Sequence, residues 1–365
     1  MKNGPPKNQM HPDSILIVRL SAMGDIVMAT PLALALKRTY PMAKICWLVQ
    51  PEWRDLLAGH PAVDEVLVWP RDEWAELWRK KKLWSLWRTI RSFSDYLKGF
   101  RFDLGIDAQG LLKSSFLLRL SGAAHSIGLK SKERSHWLLD EVVVANPDNS
   151  QISSEYLSLA NALGLVTASF EPLLELDGEQ REAKTLLLDS LQVASPYITL
   201  CPFTTRPQKH WPETYWAELA SALCQQSGRS VLLLGSKADA AAAGRIVELA
   251  GESGAGQLLN LAGSTTIGQA EALIAGSELV VAVDTGLGHM GVAFDRPTVM
   301  LFGATLPYTV TTRDNVDILH HDIHCSPCRR RPTCNGAYTC MKNLGVKDVM
   351  THCQELVPEL AGGKP

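Results

Sequence analysis

Hydrophobic residues along this chain alternate between two spacings. Short apolar runs rich in β-branched side chains, beginning with Ser14–Leu20, are typical of parallel strands buried on both faces of a sheet. Longer segments between them carry apolar residues at helical spacing, and the first of these runs from Ile26 to Leu36 and stops before Pro41. This alternation of strand and helix predicts a parallel sheet covered by helices.

Two successive series of such elements are present. In the first, further strands are predicted at Lys44–Val49, Val63–Trp69, Asp103–Asp107 and His125–Leu129. A charged helix over Gly178–Ser190 precedes the second, in which strands are predicted at Pro196–Pro202, Ser230–Gly235, Gln257–Leu261, Leu279–Val283 and Thr298–Gly303. A chain of 365 residues is long enough for two domains, each with its own core. We therefore expect an α/β protein with a flexible tail over 1–13 and Rossmann-like domains over 14–180 and 181–345.

One candidate binding site follows the predicted strand Leu279–Val283. The chain continues as Asp284-Thr285-Gly286-Leu287-Gly288-His289, which turns directly into a helix. The unpaired N–H groups of the first helical turn and the helix dipole favour an anion, and a diphosphate fits there. Thr285 and His289 add donors, and Asp284 can accept from ligand hydroxyls. An ordinary strand-to-helix turn without a ligand is the alternative.

A similar junction follows the first strand. There Ser21-Ala22-Met23-Gly24-Asp25 leads into the first helix, which puts the Asp25 carboxylate at the carboxyl edge of the sheet, where ligands of open α/β folds bind. A helix N-cap is the alternative role for Asp25. The glycines of this turn do not follow the G-x-G-x-x-G pattern, which disfavours a nicotinamide-dinucleotide site.

The loop after the strand Pro196–Pro202 concentrates groups that bind phosphate, namely Thr204, Thr205, Arg206 and Lys209. Trp211 and Pro212 follow and favour a fixed loop over a solvated one, which is the alternative. Asp239, after the next strand, is suited to a ribose hydroxyl or to a helix N-cap. If the two halves face each other across a cleft, Asp25 lies opposite this anion site. A base opposite an anion site is an arrangement that suits group transfer.

Composition narrows the classes of function. A formal net charge of −2 argues against nucleic acid as a partner. No apolar stretch approaches the length of a membrane-spanning helix, and residues 1–13 lack the apolar segment of a secretory signal. We therefore expect a cytoplasmic protein, whose eight cysteines are thiols or metal ligands rather than disulfides.

These three motifs, together with Asp107-Ala108-Gln109-Gly110-Leu111-Leu112-Lys113-Ser114, occur in order between residues 14 and 345. In this combination the sequence resembles the bacterial lipopolysaccharide heptosyltransferases of glycosyltransferase family 9. The resemblance implies a GT-B fold, in which an acceptor-binding and a sugar-nucleotide-binding Rossmann-like domain face each other across a cleft. It also implies inverting transfer of heptose from ADP-heptose to the inner core of lipopolysaccharide, which is its Kdo and heptose region. The segment 346–365 is then expected to be a helix that packs back on the first domain.

Carried over position by position, the resemblance implies that Asp25 is the general base and Lys209 the diphosphate-binding lysine. It implies donor contacts for the residues that match the family's donor loop and turn: Thr204, Thr205, Lys209, Asp239, Asp284, Thr285, Gly286 and His289. Asp239 departs from the longer Glu of similar sequences. Chemistry supports these roles, because inversion needs a base opposite the leaving group and the departing phosphate needs fixed positive charge. With Lys209 and His289 to supply that charge, and no Asp-x-Asp pair in the sequence, we expect no required cofactor and no catalytic metal.

The segment Trp69–Lys98 is suited to an anionic, lipid-linked acceptor. Its local net charge is +4, from eight basic and four acidic residues, and it holds five of the ten tryptophans. Basic and aromatic residues together are typical of membrane interfaces, so we expect contact with the inner leaflet, at the cytoplasmic face of the inner membrane. An amphipathic helix whose tryptophans pack on the core is the alternative. Candidate acceptor contacts are Arg79, Lys113 and Arg134.

Four cysteines, Cys325, Cys328, Cys334 and Cys340, form the spacing C-x₂-C-x₅-C-x₅-C. Four thiols this close in sequence can hold a structural zinc ion. The x₅ gaps differ from the usual paired knuckles, so reduced or partly disulfide-linked thiols are the alternatives.

Several functions stay open at this stage. The donor loop does not separate ADP-heptose from other nucleotide sugars, nor an inner-core acceptor from a later one. A non-catalytic sugar-nucleotide-binding protein needs the second domain's site but not Asp25.

Overall fold

The computed structural model describes residues 11–131, 133–145, 150–251, 256–305, 307–328 and 331–362. The predicted flexible tail over 1–13 falls largely on residues 1–10, which lie outside the described residues. The described chain divides into two compact units. The first comprises the residues up to 145 together with Ser153–Pro172, and the second comprises residues 150–152 and those from Leu173 onward.

The first unit is the helix-covered parallel sheet that the sequence predicts. Its strands are β1 (Ser14–Val18), β2 (Lys44–Val49), β3 (Glu65–Val68), β4 (Leu104–Asp107), β5 (His125–Leu129) and β6 (Glu141–Val143). Its helices are α1 (Met23–Thr39), α2 (Arg71–Arg79), α3 (Leu83–Lys98), α4 (Leu112–Ser121) and α5 (Ser154–Ala162). Apolar side chains of α2, α3 and α4 pack on one face of the sheet, around Leu16, Val18 and Leu20.

The strand order of this sheet is β3-β2-β1-β4-β5-β6, so the chain reverses direction across the sheet between β1 and β4. At such a reversal the loops that follow the two central strands lead to opposite sides and leave a crevice at the carboxyl edge. The segments after β1 and after β4 border this crevice.

The second unit repeats the architecture. Its strands are β7 (Tyr197–Cys201), β8 (Ser230–Leu233), β9 (Leu258–Asn260), β10 (Leu279–Val283), β11 (Thr298–Phe302) and β12 (Val316–His320). Its helices are α6 (Gly178–Ser190), α7 (Glu213–Ser227), α8 (Ala240–Ala250), α9 (Ile267–Ala275), α10 (Gly286–Ala293), α11 (Thr339–Lys342) and α12 (Val346–Leu356). The strand order β12-β11-β10-β7-β8-β9 puts the reversal between β10 and β7.

Gly288 fixes how closely α10 approaches this second sheet. A Cβ at Gly288 would lie 2.5 Å from the Met300 sulfur and 2.7 Å from the Ala282 Cβ. Any side chain there would push the helix away from β10 and β11. The second glycine of the turn therefore serves helix–sheet packing, which keeps the helix start next to the crevice.

Two strands and one domain boundary differ from the sequence prediction. β6 and β12 were not predicted, because β6 is only three residues that begin with Glu141, and Asp317 and His320 interrupt the apolar pattern of β12. The units separate at Pro172 rather than at residue 180. Residues 150–152 join the second unit because Val310 N–H donates to the Ser150 carbonyl at 2.7 Å and Ile152 N–H donates to the Val310 carbonyl at 3.1 Å.

The expected packing of the last helix on the first domain is also corrected. α12 belongs to the second unit, where Val349, Met350 and Cys353 join the core that α7 and the sheet form. Its apolar face is therefore covered within that unit.

Candidate active site

The second unit brings three predicted site residues together at its chain reversal. Lys209 lies in the loop after β7, and Asp284 directly follows the neighbouring strand β10. Lys209 Nζ forms an ion pair with Asp284 Oδ2 and donates to the Asp284 carbonyl oxygen at 3.2 Å. His289 Nε2, in α10, lies 3.4 Å from Asp284 Oδ1. The exposed fraction of each of these side chains is only 12% or 13%.

Two residues that sequence reasoning missed complete this cluster. Thr305 Oγ1 donates to Asp284 Oδ2, and Tyr308 Oη lies 3.0 Å from His289 Nδ1. Both follow β11, which neighbours β10 in the sheet. Their position after a strand was the available signal, but it does not show which side chains of a loop reach the site.

The electrostatics of the cluster centre on Asp284. Burial by itself raises the pKa of a carboxyl, but His289 and Lys209 outweigh it and hold the pKa of Asp284 well below its ordinary value. The carboxylate is therefore ionised at neutral pH and anchors Lys209 at the crevice. The first-turn N–H groups of α10 precede the His289 N–H, which already donates to the Thr285 carbonyl. A lysine, an imidazole and a helix start at one edge can together bind a diphosphate.

Removing this carboxylate is expected to destabilise the second unit in a pH-dependent way. Because the pKa of Asp284 is lower in the folded chain than the value near 3.9 of an unfolded one, its contribution is present above that pH and is lost as the pH falls further. Asp284→Asn should cost roughly 3–5 kcal/mol of unfolding free energy at pH 7, since it leaves Lys209 buried without its counter-ion. Urea unfolding of both proteins between pH 3 and pH 7 measures the difference, which should shrink below about pH 4. A difference independent of pH contradicts this account.

The rest of the loop after β7 is less enclosed. Thr204 is half-buried and Thr205 is exposed. His210 Nε2 lies 2.7 Å from the Thr204 carbonyl oxygen. Trp211 is buried, and its Nε1 donates to the Leu344 carbonyl at 2.8 Å. The prediction of a loop whose shape Trp211 fixes is therefore confirmed.

Asp239 does not act as the side-chain N-cap of α8 that the sequence left open as its alternative; its carboxylate instead bonds back to Ser236, the N-cap of the preceding turn. Its Oδ2 accepts from the Ser236 N–H at 2.9 Å and from the Ser236 Oγ–H at 2.6 Å. These bonds close the turn that precedes α8. Contact with a ribose stays a prediction for the other carboxylate oxygen.

In the first unit, Asp25 lies in the first turn of α1, beside the reversal between β1 and β4. Its Oδ2 forms an ion pair with Arg19 Nη2 at 2.9 Å and accepts from the Ala22 N–H at 3.1 Å. Its side chain is 56% exposed, and within the described residues no hydrogen bond or ion pair engages Oδ1. A carboxylate with one oxygen held and the other open can take a proton from a ligand hydroxyl.

Arg19 is the positioning residue that sequence reasoning missed. It is buried, its Nη1 donates to the Ala108 carbonyl at 3.1 Å, and its guanidinium lies 5.7 Å from the centre of the Tyr156 ring. Tyr156 Oη in turn donates to the Asp25 carbonyl at 3.1 Å. The available signal was an arginine within an otherwise apolar run.

The motif that begins at Asp107 links the two strands at this reversal. Asp107 Oδ1 accepts from the N–H groups of Gln109 and Gly110 at 3.0 Å each, and Gln109 Oε1 accepts from the Leu20 N–H at 3.0 Å. Asp107 Oδ2 accepts from Ser115 Oγ at 2.6 Å. The loop after β4 therefore fixes the end of β1, which carries Arg19.

The three predicted acceptor contacts are spread along this unit. Arg79 is exposed at the end of α2, Lys113 is half-buried at the start of α4, and Arg134 is exposed after β5. No salt bridge engages any of them in the described part of the chain. Lys113 lines a cavity with Glu133, whereas Arg79 does not.

The tryptophan-rich segment forms α2 and α3 and divides by burial. Trp74 is buried, with Trp69 packed against it at a centroid distance of 5.9 Å. Trp78, Trp84 and Trp87 are 68%, 70% and 48% exposed. The alternative of tryptophans packed on the core is thus confirmed for Trp69 and Trp74, and contact of the exposed tryptophans with a membrane stays a prediction. None of the helices in the described ranges is long and apolar enough to cross a bilayer.

In the part of the chain that the structure describes, few groups of side chains could hold a metal ion. All eight cysteines are free thiols, and no three of the sulfurs of Cys325, Cys328, Cys334 and Cys340 lie within 4.8 Å of one another. Structural zinc stays a prediction for these residues. Among the residues described, one group meets that distance, formed by Asp317, His352 and Glu355 on β12 and α12.

Comparison with known proteins decides the family. The sequence profile of "Glycosyltransferase family 9 (heptosyltransferase)" matches residues 90–339. This chain belongs to glycosyltransferase family 9. It is an enzyme of the glycosyltransferase class, as the sequence motifs predict.

Individual heptosyltransferases are similar to this family 9 enzyme over most of its length. It is 34% identical over 331 residues to lipopolysaccharide heptosyltransferase 1 of Pseudomonas aeruginosa, a match that covers 88% of this chain and 87% of the relative. E. coli ADP-heptose lipopolysaccharide heptosyltransferase II superposes with a TM-score of 0.75 at 24% identity and covers 95% of this chain and 99% of that one. E. coli heptosyltransferase WaaC with ADP-2-deoxy-2-fluoro heptose gives 0.67 at 23% identity, over 94% and 99%. The structural matches support the predicted GT-B fold.

Proposed function

We propose that this enzyme transfers heptose from ADP-heptose to the Kdo and heptose region of the lipopolysaccharide inner core, with inversion at the anomeric carbon. The observation that carries the proposal is the 34% identity to a lipopolysaccharide heptosyltransferase over most of both chains. A solved relative holds ADP-2-deoxy-2-fluoro heptose, which supports an ADP-heptose donor here.

In this proposal the second unit binds the donor. The diphosphate is held by Lys209, His289 and the start of α10. Further hydrogen bonds to it come from the hydroxyls of Thr204, Thr205 and Thr285. Asp239 meets the ribose. When the bond from the anomeric carbon to the β-phosphate oxygen breaks, its electron pair leaves with ADP, and fixed positive groups in a largely buried site stabilise that charge better than water does. The proposed reaction requires neither a metal ion nor an organic cofactor.

The first unit supplies the base. Asp25 Oδ1 takes the proton of the acceptor hydroxyl as that oxygen bonds to the anomeric carbon, and ADP departs from the opposite face. Arg19 holds the other carboxylate oxygen and so orients the base. Arg79, Lys113 and Arg134 meet anionic groups of the acceptor.

The reaction itself is the first test. Purified protein incubated with ADP-heptose and deacylated Kdo-lipid A should release ADP and add one heptose to the acceptor, and nuclear magnetic resonance should show the anomeric configuration opposite to that of the donor. Transfer from a UDP- or GDP-sugar instead, or only to an acceptor that already carries inner-core heptose, contradicts the proposed substrates. Tight ADP binding without any transfer contradicts catalysis.

We further infer that the enzyme works at the cytoplasmic face of the inner membrane, where a lipid-linked acceptor is presented. The support is the α2–α3 surface, formed by Lys80–Lys82, Leu83, Trp84 and Trp87. Leu83 is 58% exposed, and the indole rings of Trp84 and Trp87 stack at 4.9 Å in solvent. Exposed indoles beside lysines suit the anionic headgroup layer.

Charge removal on the α2–α3 surface is expected to weaken membrane binding. Each basic residue near an anionic bilayer contributes about 1 kcal/mol, so replacing Lys80, Lys81 and Lys82 by Gln should lower the affinity for vesicles with phosphatidylglycerol by about 10²-fold. Co-sedimentation measures this. Lys342→Gln with Lys347→Gln, two exposed lysines of the second unit, is the control. Equal losses in both variants contradict a specific docking surface.

A further inference from the structure

An open cavity of about 740 Å³ lies at the carboxyl edge of the first sheet. Its walls are the start of α4 and the segment after β5. The residues that line it are Leu111, Leu112, Lys113, Phe116, Glu133, Trp137 and Leu138. Leu112, Phe116 and Trp137 are 45%, 40% and 72% exposed, so large apolar groups face its opening.

Buried hydrogen bonds beneath this cavity hold its two walls together. Ser115 Oγ donates to Asp107 Oδ2 and lies 2.8 Å from Ser135 Oγ, and all three residues are fully buried. On the rim, Leu112 N–H donates to Glu133 Oε2 at 2.7 Å. These hydrogen bonds fix the backbone that carries Phe116 and Trp137. Both aromatic side chains therefore stay exposed, although apolar surface in water is unfavourable.

The buried residue Asp107 connects this cavity to the candidate base. Asp107 also fixes the loop whose Gln109 accepts from the Leu20 N–H, and the segment after β1 runs from Leu20 to Asp25. The cavity and Asp25 therefore lie along one edge of one unit.

We propose that this cavity binds an anionic saccharide of the acceptor, with a sugar ring against Trp137 and Phe116. The inference rests on the proposed function and assigns the part of the acceptor that is recognised. Lys113 meets a carboxylate or phosphate of that saccharide, Arg134 adds positive charge beside Glu133, and Glu133 Oε1 accepts from a sugar hydroxyl. The apolar CH face of a pyranose covers the aromatic rings and removes them from water.

The occupant is a saccharide rather than an acyl chain for a physical reason. An acyl chain carries no polar group along its length and gains from an enclosed, wholly apolar channel. Here the aromatic rings stand at an open mouth between Lys113 and Glu133, so a ligand must offer apolar and polar groups side by side.

Substitution of Trp137 tests the proposal. With deacylated Kdo-lipid A, Trp137→Ser should raise the acceptor KM about tenfold, since the stacked apolar area is lost, while the KM for ADP-heptose changes less than twofold. Phe116→Ser should act in the same direction. Met42→Ser is the matched control, since Met42 is a 92% exposed apolar residue of the same unit, next to the amino end of β2. Thermal unfolding of each variant checks the fold.

Binding without ADP-heptose separates this inference from the proposed function. Calorimetry with a Kdo disaccharide and with a glucosamine disaccharide bisphosphate shows whether a carboxylate or a phosphate is recognised, and Trp137→Ser should weaken whichever binds about tenfold. Saccharide binding without transfer supports the cavity and contradicts the heptosyltransferase. Normal transfer with an unchanged acceptor KM in Trp137→Ser overturns the cavity alone. A KM that rises only with a fully acylated acceptor overturns it too, in favour of an acyl chain.

Discussion

Asp25→Asn is expected to lower kcat for heptose transfer by about 10²–10⁴-fold, the usual contribution of a general base. Asparagine has the same shape but cannot take the proton of the acceptor hydroxyl. The side chain is 56% exposed and lies outside the unit proposed to bind the donor, so the Kd for ADP-heptose should change by less than twofold. Steady-state kinetics and calorimetry measure the two quantities.

A matched carboxylate keeps this test specific. Asp189 is exposed on α6, and Asp189→Asn should leave both kcat and donor binding unchanged. Loss of the Arg19 ion pair in Asp25→Asn is checked by the thermal unfolding midpoint. If kcat persists in a folded Asp25→Asn protein, Asp25 is not the base.

Lys209→Met is expected to lower kcat by about 10²–10³-fold, because it removes the fixed charge that we propose meets the departing diphosphate. It should also weaken ADP-heptose binding about 10–100-fold, as expected for the loss of a charge-assisted hydrogen bond. Methionine keeps the length and apolar stem of lysine, so the effect reports the charge. Acceptor KM should be unaffected.

A second variant separates catalysis from stability. Lys209→Met leaves Asp284 buried without its ion pair, so part of any loss of activity can come from unfolding. In Lys209→Met with Asp284→Asn both charges are gone, and the unfolding midpoint should recover towards that of the wild type while kcat stays low. Recovery of kcat together with stability contradicts a role for Lys209 in the reaction.

The sequence pattern was sufficient for most of the framework. Apolar runs predicted ten of the parallel strands, because most positions of these strands are buried between the helices that cover each sheet. It failed at β6, which has only three residues, and at β12, where Asp317 and His320 interrupt the apolar pattern. It also misplaced α12, since an amphipathic helix shows that it needs an apolar partner but not which surface provides it.

The site could be predicted in part. Strand-end motifs indicated Asp25, Lys209 and Asp284, because turns at the carboxyl edge of a parallel sheet face ligands. Spacing could not show that Lys209 pairs with a carboxylate 75 residues away, since that depends on β7 and β10 being neighbours. The same limit hid Arg19, Thr305 and Tyr308.

The sequence pattern also could not predict which individual tryptophans are buried. Trp74 and Trp78 are both on α2, yet one is buried and the other is 68% exposed. Which side of a short helix meets the core depends on α3 beside it, and the composition of the segment does not contain that information.

In the proposed reaction, Asp25 acts on the acceptor hydroxyl while Lys209 holds the diphosphate of the donor. A crystal structure with ADP-2-deoxy-2-fluoro heptose and deacylated Kdo-lipid A measures this most directly. We expect an Asp25 oxygen about 2.6–3.2 Å from the acceptor hydroxyl, opposite the diphosphate, whose oxygens meet Lys209 Nζ and the start of α10. A diphosphate bound away from Lys209, or an acceptor hydroxyl beyond the reach of Asp25, would contradict it.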